Sequence, residues 1–149
     1  MRHLISIVII TALGAAATAC SYTPQAAEEL RNAELAIADG DMTAARSVAD
    51  RLVGTPSLDD LSARDLARLS MVYMRMAEDE NDNTTLVATA ADLYRRACRE
   101  NADSARAYYM SLDLPDEALA SQLYHIVVAT DSAGVIPPDD HEFHPDSIF

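Results

Sequence analysis

The chain has 149 residues, half of them hydrophobic but only 5% aromatic, and a formal net charge of −13. That length suits one domain with a modest core, and an apolar set dominated by Ala and Leu favours helices. All the cations are Arg and none is Lys, which excludes Schiff-base and P-loop lysine chemistry, while scattered Arg among abundant acid excludes phosphate-driven nucleic-acid binding.

Met1-Arg2-His3 forms a short positive start, and the following stretch to Ala19 is uncharged and ends in the small residues Ala15-Ala16-Ala17-Thr18-Ala19. It is shorter than the about 17–20 apolar residues that a membrane-spanning helix needs. The run Ala17-Thr18-Ala19-Cys20 resembles the lipobox of bacterial lipoproteins, with Ala17 where Leu is commoner. The resemblance implies that residues 1–19 are a signal peptide that is removed, and that Cys20 is the lipidation site. Acyl chains such as palmitate anchor in proportion to their buried methylenes, at about 0.8 kcal/mol each. Ser21, where an Asp would retain a lipoprotein at the inner membrane of enteric bacteria, implies delivery to the outer membrane. Residues 20–25, with Pro24 among them, read as a lipidated tether. Acylation of Cys20 leaves Cys98 as the one free thiol, so no disulfide within the chain is expected.

A first helix is expected from Ala26 to Ala38, with Leu30, Ala33, Ala36 and Ile37 on its apolar face. Asp39-Gly40-Asp41 ends it, since Gly40 suits a left-handed turn and Asp41 can cap the second helix, Met42 to Val53, which buries Ala45, Val48, Ala49 and Leu52. Gly54-Thr55-Pro56 closes that helix and leads to a loop holding Asp59 and Asp60. Ser62 and Asp65 then make a capping-box start for a third helix. Its stripe is Leu66, Leu69, Val72, Tyr73 and Met76, with Arg64, Arg68, Arg75 and Glu78 expected to face away.

Asp79 to Asn83 interrupts the pattern before a fourth helix from Thr84 to Glu100, whose inner side is Val87, Ala90, Ala91, Tyr94, Ala97 and Cys98. A short helix from Ser104 to Leu112 carries Tyr108 and Tyr109. The last begins at Leu114-Pro115 and runs to Thr130, with Leu119, Leu123, Ile126 and Val127 inward. The expected organisation is therefore an all-α domain over residues 26–131, about six helices in all. Residues 132–149, with Pro137-Pro138 and no cation, read as a disordered acidic tail.

Paired helices joined at a Gly-Asp turn, with Ala33, Ala36, Gly40, Ala45 and Ala49 at close-approach positions, resemble the tetratricopeptide repeat. Leu66, Leu69, Ser70 and Tyr73, then Ala90, Tyr94 and Ala97, fit a second unit, although an insertion separates its helices and the family's Trp is absent. The resemblance implies antiparallel hairpins stacked as a short solenoid, and a protein-protein interaction role. A lipobox joined to such a domain is similar to small lipoproteins of Bacteroidetes-type bacteria.

Candidate chemistry is sparse. His141 and His144 with Asp139 and Asp140 offer imidazole and carboxylate ligands for a weakly held metal, but on a tail without a scaffold. Asp79 to Asp82 lacks the Gly and closing Glu of a calcium loop, and His125 has no Ser or Asp partner that the sequence places beside it. Tyr108 and Tyr109 are the candidate partner-binding residues, because neighbours in sequence cannot share one helix face. Neither catalysis nor a cofactor is expected. The expected partners are an envelope protein, the membrane through Cys20, and a second copy of the chain.

Overall fold

The computed structural model describes residues 25–131, which are all helical apart from their turns and contain no strand. The helices are α1 (Gln25–Ala38), α2 (Met42–Val53), α3 (Ala63–Glu78), α4 (Thr84–Tyr109) and α5 (Leu114–Thr130).

In α1, Ala26, Leu30, Ala33 and Ile37 recur every three or four residues and are buried against α2 and α3. The helix ends as its residues dictate. Gly40 takes φ +75° and its N–H donates to the Ile37 carbonyl at 3.0 Å, while the Asp41 N–H donates to Ala36 at 2.9 Å. Asp41 then caps α2, its Oδ1 accepting from the Ala44 N–H at 2.9 Å. Ala45 and Ala49 are fully buried on α2, and such short side chains let two helix backbones approach closely. The expected loop at Asp59 and Asp60 is a 3-10 turn, Pro56–Asp60, with Leu58 packed onto the core and Leu61 buried just beyond it.

Ser62 starts α3 with a reciprocal cap: its Oγ accepts from the Asp65 N–H at 3.2 Å and donates to Asp65 Oδ2 at 2.7 Å. Eleven of the 16 residues of α3 are buried, far more than the expected stripe. The reason is position, because α1, α2, α4 and α5 all pack on it. Ala67, Ser70, Met71, Met74 and Ala77 are therefore interior as well.

The α3–α4 turn is tied by Asn83, whose amide donates to the Ala77 carbonyl at 3.0 Å, an orphan acceptor of the helix end. Inside α4, Asn101 leaves helical geometry at φ −163°, ψ 99°, and its Oδ1 accepts from the Ser104 N–H at 2.9 Å. The chain thus breaks where two helices were expected. The second segment, however, restarts directly after Asn101 and ends at Tyr109 rather than Leu112. Leu86 and Leu93 are buried beside the expected face of α4, and Ile126 of α5 is only half-buried. One continuous apolar cluster runs from Ala26 to Val127. Full burial of each Leu or Val in it contributes about 1.5–3 kcal/mol.

Candidate functional site

The polar side chains of the domain gather around α3. Arg68 spans to α1 as a bidentate pair with Glu34, its Nε donating to Oε1 at 2.9 Å, and also donates to Asp65 at 2.7 Å. Two turns along the same helix, Arg75 makes the equivalent fork with Asp116 at the start of α5, Nε to Oδ1 at 2.9 Å. Bidentate guanidinium-carboxylate geometry fixes orientation as well as charge, so these forks hold α1 and α5 to α3 at set angles. Both Arg residues were expected to face away from the core. They are half-buried instead, because neighbouring helices supply carboxylates at the edges of the α3 face.

Tyr108 lies close enough to both forks to feel their charges. Burial first, then Glu34, pushes its phenol up to about 12. Adjacent Tyr109 points into the core at 6% exposure, its ring 5.2 Å from that of Tyr94. The Tyr109 hydroxyl lies 2.8 Å from Ser70 Oγ, which donates its own proton to the Ala67 carbonyl at 2.6 Å, so Tyr109 is the donor to Ser70. Of the expected partner-binding pair, then, Tyr109 is a core residue and Tyr108 alone remains accessible. The reason is the α4 break: it turns the short second segment so that position 109 faces Ser70 and position 108 the flank.

A second polar group lies across α2 and the α3–α4 turn. Met42, Thr43, Arg46, Ser47, Asp50 and Glu80 line an open depression of about 390 Å³. Arg46 pairs with Glu80 and, within α2, with Asp50 at 3.6 Å, and the Tyr73 hydroxyl donates to Asp50 at 2.8 Å. All of its charged groups are spent on one another. Beside α5, Arg95 holds Asp131 with two contacts at 3.0 Å and Asp92 at 2.9 Å.

Cys98 is half-buried, and burial pushes its thiol up, against the opposing pull of Tyr94, Arg106 and Arg99. Such a thiol is held protonated and is a poor nucleophile. His125 is exposed on α5 with its ring edge-on to Tyr124, 5.7 Å between centroids. Asp79 and Asp82 are exposed on the α3–α4 turn. Among the described residues no group of His, Cys, Asp and Glu is arranged to hold a metal, and no helix is long and apolar enough to cross a membrane. Cys20, and His141, His144, Asp139 and Asp140, lie outside the described residues.

The sequence does not show the forks at Arg68 and Arg75 as pairs. The spacing of Arg68 and Arg75 on one face of α3 was the available signal, and their partners come from other helices. No protein family, curated protein or solved structure matches the chain.

Proposed function

We propose that this chain is a lipid-anchored envelope protein whose helical hairpins serve as a protein-recognition module. The observation that carries the recognition half is the packing order: α1 pairs with α2, α3 pairs with α4, the first hairpin leans on α3, and α5 packs onto α4 and α3 at the end of the stack. Each hairpin depends chiefly on its neighbour in sequence, as in stacked helical repeats, which bind partners on extended faces. A supporting observation is that the strong polar groups near α3 are consumed in fixed ion pairs and hydrogen bonds. The surface near α3 is therefore shaped and charged, with its strong polar groups held in place by one another.

The anchor rests on the sequence, with Cys20 following Ala17-Thr18-Ala19 and α1 beginning only a few residues later. Metabolic labelling with palmitate and fractionation of envelopes test it: the wild type is labelled and membrane-bound, and Cys20→Ser is neither. A Cys20→Ser chain that stays labelled and membrane-bound overturns the anchor. Recognition is tested by a photo-crosslinking residue at position 108, because the chain has no Lys for amine reagents. The expected result is one discrete heterologous adduct that survives deletion of residues 135–149. Metal uptake lost with that deletion, and no adduct at position 108, would favour a tail-centred ligand role instead.

A further inference from the structure

Residues 118–130 contain no Asp, Glu or Arg, in a chain that is 23% charged as a whole. The exposed positions of α5 are Leu114, Pro115, Ala118, Gln122, His125, Val128, Ala129 and Thr130, whereas every other helix exposes at least one acid and one Arg. Glu28 and Arg31 do so on α1, Asp50 and Arg51 on α2, Arg64 and Glu78 on α3, and Asp92 and Arg99 on α4. Of the acids at the two ends of α5, Asp116 is turned inward onto Arg75 and Asp131 onto Arg95, which leaves exposed Asp113 and half-buried Glu117 at its first turn only. An exposed helix face cleared of charge on so acidic a molecule requires a physical reason, and solubility supplies the opposite one.

We infer that the outer face of α5 is a self-association surface, on which two copies of the chain pair antiparallel about a twofold axis. The occupant follows from charge. Two copies carrying −13 each repel, and the stretch 118–130 of α5 is a face that meets its own copy without opposing acids. The sequence along it is also self-complementary in the antiparallel sense. With the axis between positions 122 and 125, Ala118 faces Ala129 of the other copy, and the Gln122 amide faces the His125 imidazole, a donor-acceptor match made twice. The 17 residues of α5 span about 25 Å and, at a width of about 10 Å, cover roughly 250 Å². That is well under the about 800 Å² per partner of a stable complex, so the pairing is weak and reversible.

Disulfide trapping on the full-length chain in intact envelopes tests the surface. Gln122→Cys combined with His125→Cys is expected to give a band of doubled mass on oxidation, as is Ala118→Cys with Ala129→Cys. Arg64→Cys and Arg31→Cys, on exposed parts of α3 and α1, are expected to stay monomeric. Adding Val128→Glu to the Gln122→Cys/His125→Cys pair sets acids on the shared face and is expected to cut trapping by about tenfold. Equal trapping at the α3 position, no trapping at either α5 pair, or trapping indifferent to Val128→Glu each overturns the inference. Loss of the position 108 adduct with α5 trapping intact would remove the recognition reading and leave this one in place.

Discussion

Helices α3 and α5 invert the usual relation between charge and burial. The former carries Arg64, Asp65, Arg68, Arg75 and Glu78 and yet lies at the centre of the domain, while α5 is uncharged beyond Glu117 and lies at its edge with one side open. The contrast shows that a helix earns a central place through what its neighbours return to it. Arg68 and Arg75 tolerate half-burial because Glu34 and Asp116 meet them with bidentate geometry, and Ser70 tolerates full burial because Ala67 and Tyr109 satisfy its hydroxyl. No buried side-chain polar atom among the described residues lacks a partner. On α5 the feature left open among the described residues is an exposed face without charge.

The largest expected effect breaks the centre. Leu69→Ala, at a position of zero exposure where several helices converge, is expected to cost about 2–5 kcal/mol by urea denaturation. The same truncation at exposed Leu114 is expected to change stability by less than about 0.5 kcal/mol. Equal losses at the two sites would erase the contrast between α3 and α5.

Next in size is the buried hydroxyl pair. Ser70→Ala removes the acceptor of a phenol that is 6% exposed and is expected to cost about 1–3 kcal/mol, since the Tyr109 hydroxyl is left without a partner. Tyr109→Phe is expected to cost less, because Ser70 keeps its bond to Ala67, and the double variant recovers part of the Ser70→Ala loss. Additive losses in that cycle would show that the pair is not coupled.

The phenols near α3 also set an alkaline limit. Burial raises Tyr108 to about 12, and raises Tyr73, Tyr94 and Tyr109 further above their ordinary value near 10. A folded pKa above the unfolded one means the folded state holds the proton more tightly. The stability from this source is complete below about pH 10 and is lost as pH rises through the folded values. Tyrosinate absorbance is expected to appear together with loss of helical circular dichroism above pH 10, and Tyr108→Phe to move that transition upward. Ionisation of these four phenols near 10 in a still-helical protein would contradict their burial.

Much of this was legible in the sequence where the determinants are local. The Asp39-Gly40-Asp41 turn, the Ser62 cap and the interruption near Asn101 each depend on residues within one turn of one another, and each appears where the residue types require it. Arg68 and Arg75 were misread as solvent-facing because their partners are 34 and 41 residues away, and helical periodicity carries no record of what a neighbouring helix offers. Tyr108 and Tyr109 were not separable for a similar reason, since the twist introduced at Asn101 decides which of the two meets Ser70. The charge gap on α5 was present in the sequence throughout. Its meaning depends on the fold, which turns Asp116 and Asp131 inward.

The smallest expected effect on stability sharpens the comparison most. Ala118→Glu places an acid on the open side of α5, one turn from Gln122, at an exposed position. Glu is nearly as good a helix former as Ala, so the folded monomer is expected to lose no more than about 0.5 kcal/mol. Two-copy pairing is expected to fall much further, because the new carboxylates meet the facing helix across a low-dielectric contact where no Arg answers them. Thermal denaturation with disulfide trapping at positions 122 and 125 separates the two quantities. A variant that melts like the wild type yet no longer traps locates the function of the face between molecules. One that loses stability and trapping together would mean that the outer side of α5 already has an intramolecular partner, and that its neutrality serves the fold.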